Sequence, residues 1–214
     1  TRVKRRAAIV TGAASGIGRA VARRLVDDGH EVLAVDLEPD PNGPGEPFAA
    51  DLTERAANRG AVNAAVERFG RLDVVVPNAG LQHVAPVAEF SEDRWDALLA
   101  LMLTSPFLLA RHAWPHLSGS GDGRFVAIAS VHGLVASPFK AGYVSAKHGL
   151  LGLVKTLALE GAEHAVTATA VCPGYVRTPL VEGQIAGQAG AVALAAARIA
   201  AATARAPLAA RSSV

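Results

Sequence analysis

Thr11-Gly12-Ala13-Ala14-Ser15-Gly16-Ile17-Gly18 is the stretch that decides how this chain folds. It follows the short apolar run Arg6-Ala-Ala-Ile-Val-Thr11. It precedes Arg19 to Asp28, where Val21, Leu25 and Val26 recur at helical spacing with the charges elsewhere. Strand, glycine turn and helix in that order are the context a phosphate-binding turn requires. Gly12 would allow the tight turn, Gly16 would let backbone approach a pyrophosphate, and Gly18 would let the helix pack closely on the strand. The helix N-terminus would add free N–H groups and a partial positive charge. A plain glycine-rich turn could carry the same letters, so the residues that follow must choose. Glu31-Val-Leu-Ala-Val35 reads as a second strand and ends in Asp36. A carboxylate there can accept hydrogen bonds from ribose hydroxyls and repels a 2′-phosphate. Leu37 and Glu38 follow it, not an arginine, which favours NAD over NADP; a surface aspartate capping a strand is the alternative.

Outward from this unit, the chain keeps alternating. Pro39 to Pro47 is a Pro/Gly-rich loop, and Pro47-Phe-Ala-Ala-Asp51 holds a short edge strand that would place Asp51 near an adenine. Glu54 to Phe69 is an amphipathic helix. Leu72 to Val76 is a buried strand, and Pro77-Asn78-Ala79-Gly80 is a turn able to approach a cofactor. Glu92 to about His116 reads as one long helix kinked at Pro106. Phe125 to Ala129 is a strand, Ala141 to Glu163 a helix, and Val166 to Val171 a strand ending in Cys172-Pro173-Gly174. Strands that are apolar throughout, alternating with helices, indicate a parallel sheet covered on both faces.

Composition narrows the function classes. A chain of 214 residues is expected to be one domain with a substantial core. A net charge of +2 is too small to point to nucleic acid, and the basic run Arg2, Lys4, Arg5, Arg6 lacks interleaved aromatics. Cys172 is the only cysteine, so no intrachain disulfide forms and a reducing compartment is expected. With no secretory leader and no charge-free apolar run of roughly 20 residues, the expected location is the cytoplasm, without membrane partners. His112 and His116 have metal-ligand spacing, but Pro115 interrupts the turn between them and no third ligand is evident, so no metal is expected. Trp95 and Trp114 read as packing anchors.

Ser130-Val-His-Gly-Leu-Val-Ala-Ser-Pro-Phe-Lys-Ala-Gly-Tyr-Val-Ser-Ala-Lys147 gathers a hydroxyl, an imidazole, two ammonium groups and a phenol. Tyr143 and Lys147, four apart, share a face if the segment is helical, with Cβ atoms about 5–6 Å apart. A phenol beside an ammonium is a proton donor whose pKa is drawn down, which suits carbonyl reduction or alcohol oxidation. Alone, such a pair is more often surface decoration.

Together, Thr11 to Gly18, Asp36, Asn78-Ala-Gly80, Ser130, Tyr143-x-x-x-Lys147 and Pro173-Gly174 resemble the short-chain dehydrogenase/reductase family over roughly residues 6 to 184. The resemblance implies a Rossmann-type, doubly wound α/β fold. It makes Tyr143 the general acid/base and Ser130 the group that steadies the substrate oxygen. Lys147 would bind the nicotinamide ribose and lower the tyrosine pKa. It extends the NAD site to Ser15, Ile17, Leu52, Ala79, Val176 and Thr178, the last on the nicotinamide amide. A narrower similarity, to D-3-hydroxybutyrate dehydrogenases, lies in Gly80 to Val87, Ser130 to Lys140 and Cys172 to Gln184. It implies that Gln82, His132, Lys140 and Gln184 hold a substrate carboxylate, as charge-assisted hydrogen bonding to a small hydroxy acid demands.

Two departures accompany the match. Where the family has an asparagine whose carbonyl holds a proton-relay water, this chain has Met102, in Met102-Leu-Thr-Ser-Pro-Phe107, losing the amide that helps hold the local helix distortion. After Gln184 the family's lid and final strand give way to an Ala/Arg-rich tail, so residues 1–184 are expected to form the cofactor-binding and catalytic domain and 185–214 an atypical tail. The final strand and its oligomer surface are expected to be missing; a homo-oligomer is left open. The reading is an NAD-dependent oxidoreductase of a short 3-hydroxy acid. Its rivals are a relative acting on sugars, steroids or acyl-carrier esters, and a dinucleotide-binding protein of weak catalysis.

Overall fold

Neighbouring residues of the apolar runs go to opposite faces of one sheet, and both faces are covered. In β1 (Ala7–Thr11), Ile9 faces a core with Leu33, Val35, Val75 and Phe125, while Ala8 and Val10 face a second core with Val32, Ala34, Val74 and Val76. A strand buried on both sides has no use for alternating polar residues, which is why these strands read as unbroken apolar runs. The structure, a computed structural model, describes residues 5–174 and 176.

β1, β2 (Glu31–Asp36), β3 (Glu46–Ala49), β4 (Val74–Val76), β5 (Gly123–Ile128) and β6 (Val166–Val171) form a six-stranded parallel sheet in the order β3-β2-β1-β4-β5-β6. The helix α1 (Gly16–Asp27) covers one face through Ile17, Val21 and Leu25. The helices α2 (Arg55–Phe69), α4 (Ser105–Gly119) and α5 (Ala141–Gly161) cover the other. Phe125, with no exposed surface, is central there; cutting it to alanine is expected to cost about 3–5 kcal/mol. The strand order reverses between β1 and β4, so the turns leaving them diverge and open a crevice at the carboxyl ends of the strands.

The long helix departs from expectation. It comprises α3 (Glu92–Leu99), a π-helical stretch at Ala100–Thr104, and α4. The break therefore lies just upstream of Pro106. In α-helical register the Met102 carbonyl would pair with the N–H of residue 106, and proline has none. The wider π turn accommodates that missing donor. The distortion thus persists with methionine at 102, and the proline supplies a reason for it. Pro115 does not interrupt the chain either: α4 runs through it to Gly119. The Glu92–Gly119 stretch is long and apolar enough to cross a membrane by length and composition, although Asp96 and Arg111 bound its longest charge-free run well short of a span. Leu98, Met102, Leu109, Ala113 and Leu117 are nevertheless at most 1% exposed in the core, which is how a core helix of this length uses its apolar side.

Candidate active site

The crevice has a volume of about 450 Å³. Gly12, Ser15, Gly16 and Ile17 form one wall, Asp36, Asp51 and Leu52 a second, and Asn78, Ala79 and Gly80 a third. Gly12 takes φ +65°, and a Cβ there would lie 2.8 Å from the Asn78 amide nitrogen. Gly18 is more constrained: its Cβ would fall 2.0 Å from the Gly12 carbonyl oxygen. The close approach that requires glycine is therefore to the turn itself, not to the strand. Asn78 completes the cradle from the next strand. Its side-chain amide donates to the carbonyls of Thr11 (2.8 Å) and Gly12 (3.2 Å). Thr11 Oγ1 accepts from the N–H groups of Asn78 and Ala79, both at 2.9 Å. Thr11, assigned no role from the sequence, thus locks the ends of β1 and β4 together; its signal was its place directly before Gly12.

This cradle fits a dinucleotide phosphate. Ser15 is the N-cap of α1 yet makes no side-chain cap hydrogen bond, and the first turn carries no acidic residue. The helix N-terminus thus keeps its positive end turned toward the crevice. Asp36, at the end of β2, accepts from the N–H of Ala14 at 2.9 Å, so its charge is fixed on the crevice wall. Asp51 accepts from the hydroxyl (2.6 Å) and N–H (2.9 Å) of Thr53, bonds that lower its pKa. Leu52 is 4% exposed, and its carbonyl accepts from buried Asn58, itself bonded by Ser105 at 2.6 Å. The sequence offered no sign of that brace.

The residues expected to react gather where β5 ends and α5 begins. Ser130 caps a short 3₁₀ turn, Val131–Gly133, and its Oγ accepts from the His132 N–H at 3.1 Å. Tyr143 hydrogen-bonds Ser130; burial pushes its phenol above the ordinary value and that bond draws it only partly back. Lys147 is buried, its Nζ donates to the Ile128 carbonyl at 2.8 Å, and it stands 5.7 Å from the Tyr143 ring centroid. Burial lowers its pKa to about 8. The expected depression of the tyrosine by the lysine is therefore not delivered by the chain's own groups: desolvation acts against the charged form of both. A phenol bonded to a serine hydroxyl can still exchange a proton with an oxygen placed between them.

Of the residues read as carboxylate-binding, His132 and Lys140 join this cluster. Burial, then the charge of Lys140, holds the His132 imidazole below its ordinary range. Its Nε2 shares a 2.8 Å hydrogen bond with Ser137 Oγ, and its ring meets Tyr143 edge-on with centroids 6.0 Å apart. Lys140 has no exposed surface, and burial lowers its pKa. Gln82 is half-buried on the segment leaving Gly80. Pro173 accepts from the Val131 N–H at 2.9 Å, bringing Pro173 and Gly174 beside the Ser130 turn. Val176 is 42% exposed, and Cys172 is half-buried. Thr178, Gln184, the tail and the expected loss of a final strand lie outside the described residues. Met102, 1% exposed, sets its sulfur against Gly80 on the crevice wall, where a Cβ would lie 3.3 Å away.

Known proteins are similar to this chain. Residues 6–189 match the family model described as short chain dehydrogenase. An uncharacterized oxidoreductase, YxjF, of Bacillus subtilis is 43% identical over 86% of this chain and 76% of its own. The D-beta-hydroxybutyrate dehydrogenase of Rhizobium meliloti is 42% identical over 85% and 76%. The ligand-free aldohexose dehydrogenase of Thermoplasma acidophilum superposes with a TM-score of 0.81 at 29% identity, covering 85% of this chain and 71% of that one. With the crevice at the strand-order reversal and its glycine cradle, these matches make the chain a member of the short-chain dehydrogenase family, an oxidoreductase that uses a nicotinamide cofactor on a small molecule.

Proposed function

We propose that the chain interconverts a short 3-hydroxy acid, most simply 3-hydroxybutyrate, and its 3-oxo acid with NAD. The observation that carries this reading is Lys140: an ammonium with no exposed surface, three residues before Tyr143 and close enough to His132 to lower its pKa. A buried ammonium is strongly stabilised by an anion brought beside it. A substrate carboxylate would meet it while the hydroxyl, two carbons away, reaches the phenol. Gln82 and His132 would orient the carboxylate; Gln184 completes the proposed set. The similarity to D-beta-hydroxybutyrate dehydrogenases supports the same substrate class.

When bound, the nicotinamide supplies a two-electron hydride acceptor or donor. Gly12, Ser15, Gly16 and Ile17 would hold the pyrophosphate, Asp51 and Leu52 the adenine, and Lys147 the ribose beside the nicotinamide. Asp36, held by Ala14, would hold the adenosine ribose and repel a 2′-phosphate, which is the basis for NAD over NADP. Ser130 donates to the substrate oxygen. Tyr143 removes the hydroxyl proton in oxidation and returns it to the carbonyl oxygen in reduction. Because burial keeps the phenol protonated, reduction is favoured toward lower pH and oxidation toward higher pH.

NADH oxidation with acetoacetate tests the proposal, beside the same assay with a neutral ketone and with NADPH. Turnover preferring acetoacetate and NADH is expected. Lys140→Ala should raise the acetoacetate KM about 10–100-fold, the loss of one charge-assisted hydrogen bond. Turnover only with neutral carbonyls would favour a relative of different substrate class. NADH binding without turnover would favour a weakly catalytic dinucleotide-binding protein, the reading that Met102 suggests.

A further inference from the structure

Among the described non-glycine residues, Phe139 and Ala165 have left-handed backbones, at φ +67° and +52°. Ala165 follows the 3₁₀ turn Ala162–His164, a place where a chain commonly turns left-handed to leave a helix. Phe139 has no such excuse. It follows Pro138 and precedes Lys140, the N-cap of α5. A bulky residue at positive φ is a true outlier, and such strain persists only where the surroundings over-determine it. The surroundings here are two segments of the proposed substrate site. The Phe139 carbonyl accepts from the Ala85 N–H at 3.0 Å, tying down the segment that carries Gln82. The next residue, Lys140, sends its side chain wholly inside, with backbone φ −122° and ψ 35°.

We propose that Phe139 is a positioning residue: its left-handed backbone joins the Gln82 and Lys140 segments and thereby sets the preference for carboxylated substrates. The proposal rests on the reading of Lys140 given above. It assigns the effect to the backbone at 139, not to the phenyl ring. Glycine, which adopts this conformation without penalty, should therefore serve as well as phenylalanine. A β-branched residue, which resists it most, should not. With the backbone rotated out of the left-handed region, the 139 carbonyl would leave Ala85 and the Lys140 side chain would leave its buried direction.

The test compares wild type, Phe139→Gly and Phe139→Val in NADH-dependent reduction of acetoacetate and of a neutral methyl ketone of similar size. Phe139→Val is expected to raise the acetoacetate KM at least about tenfold, equivalent to about 1.4 kcal/mol. The NADH KM should stay within about twofold in that variant. Its kcat/KM for the neutral ketone should also stay within about twofold, a pattern general destabilisation would not produce. Phe139→Gly should keep the wild-type acetoacetate KM and melt no lower than wild type. If Phe139→Val does not fold, Phe139→Thr, which is β-branched as well, carries the same comparison. Equal losses in the glycine and valine variants would overturn the proposal in favour of the ring. An unchanged acetoacetate KM in Phe139→Val would overturn it while leaving the carboxylate reading intact. A wild type that prefers the neutral ketone removes the carboxylate reading, and the role of Phe139 with it.

Discussion

The two ends of the site are built from different material. Around Gly12 to Gly18 the work is done by backbone: positive-φ turns, an uncapped helix terminus, and Asn78 and Thr11 spent entirely on main-chain atoms. Around Ser130 to Lys147 it is done by side chains that fold into the interior carrying charge or a titratable proton. His132, Lys140 and Lys147 are all at most 7% exposed. A backbone cradle asks little of stability, because each N–H that meets a phosphate is one the fold leaves exposed anyway. A buried ammonium asks a great deal, since desolvation opposes its charge. On the proposed reading, the nucleotide end is set by shape, while selectivity for the reacting molecule is bound up with electrostatic strain.

Removing the phenol oxygen is the severest way to separate the two ends. Tyr143→Phe is expected to lower turnover about 10²–10⁴-fold, the range of a lost general acid/base, while NADH binding, read by fluorescence titration, stays within about threefold of wild type. Equal loss of binding would show that the ends are not independent. Gly18→Ala should do the reverse. Its new Cβ, placed 2.0 Å from the Gly12 carbonyl, must push the turn apart. A loss of about 1–3 kcal/mol in stability is expected, with NADH affinity falling while the ring packing of Tyr143 and His132 is untouched. Thermal unfolding and the same titration check both parts.

This contrast also explains what could be read in advance. Glycine spacing and apolar runs are local signals, so the six strands and the glycine turn were legible, with β3, β4 and β5 placed one or two residues from their observed bounds. Ser130, His132, Tyr143 and Lys147 fall within one short segment, but their expected roles came from the family resemblance and not from their spacing. Phe139 was not legible, because left-handed backbone in a phenylalanine leaves no mark in composition or period. Nor was the Asn58–Ser105 brace behind Leu52, whose members lie 47 residues apart. The π turn was half legible: Pro106 announced a break, but the accommodation lies in the preceding turn, where no proline stands. The burial that opposes ionisation of Tyr143 was not legible for a related reason. Sequence spacing shows which charges are neighbours, not how much water has been removed from them.

A subtler probe of the charged end is pH. Lys147 has a folded pKa of about 8 against an ordinary 10.5. Between those values the unfolded chain binds more protons at this residue than the folded one, so this group makes stability rise with pH across that window. The same group works against folding below about pH 8, where it must be charged in both states. At one pKa unit per 1.36 kcal/mol the full difference approaches about 3 kcal/mol. Comparing denaturant unfolding of wild type and Lys147→Met at pH 8 and 10 isolates it. Parallel curves for the two proteins would mean that Lys147 is not desolvated as its surroundings imply, and the contrast with the nucleotide end would weaken.

The smallest expected effect falls where the two ends meet. Met102 is buried against Gly80 on the nucleotide wall, with Leu98 and Ala146 beside it, and Ala146 adjoins Lys147. Its thioether makes this seam apolar, whereas an asparagine would offer an amide to backbone or water. The π turn does not need that amide, since Pro106 already removes the α-helical partner of the 102 carbonyl. Any gain from Met102→Asn must therefore come through proton movement near Lys147 rather than through helix shape. A rise in kcat of a few-fold, about 0.6–1 kcal/mol in barrier, is expected, with a solvent deuterium isotope effect that shrinks in the variant. Unchanged turnover with an unchanged isotope effect would mean that protons already leave Tyr143 on the substrate side, and that the apolar seam limits nothing.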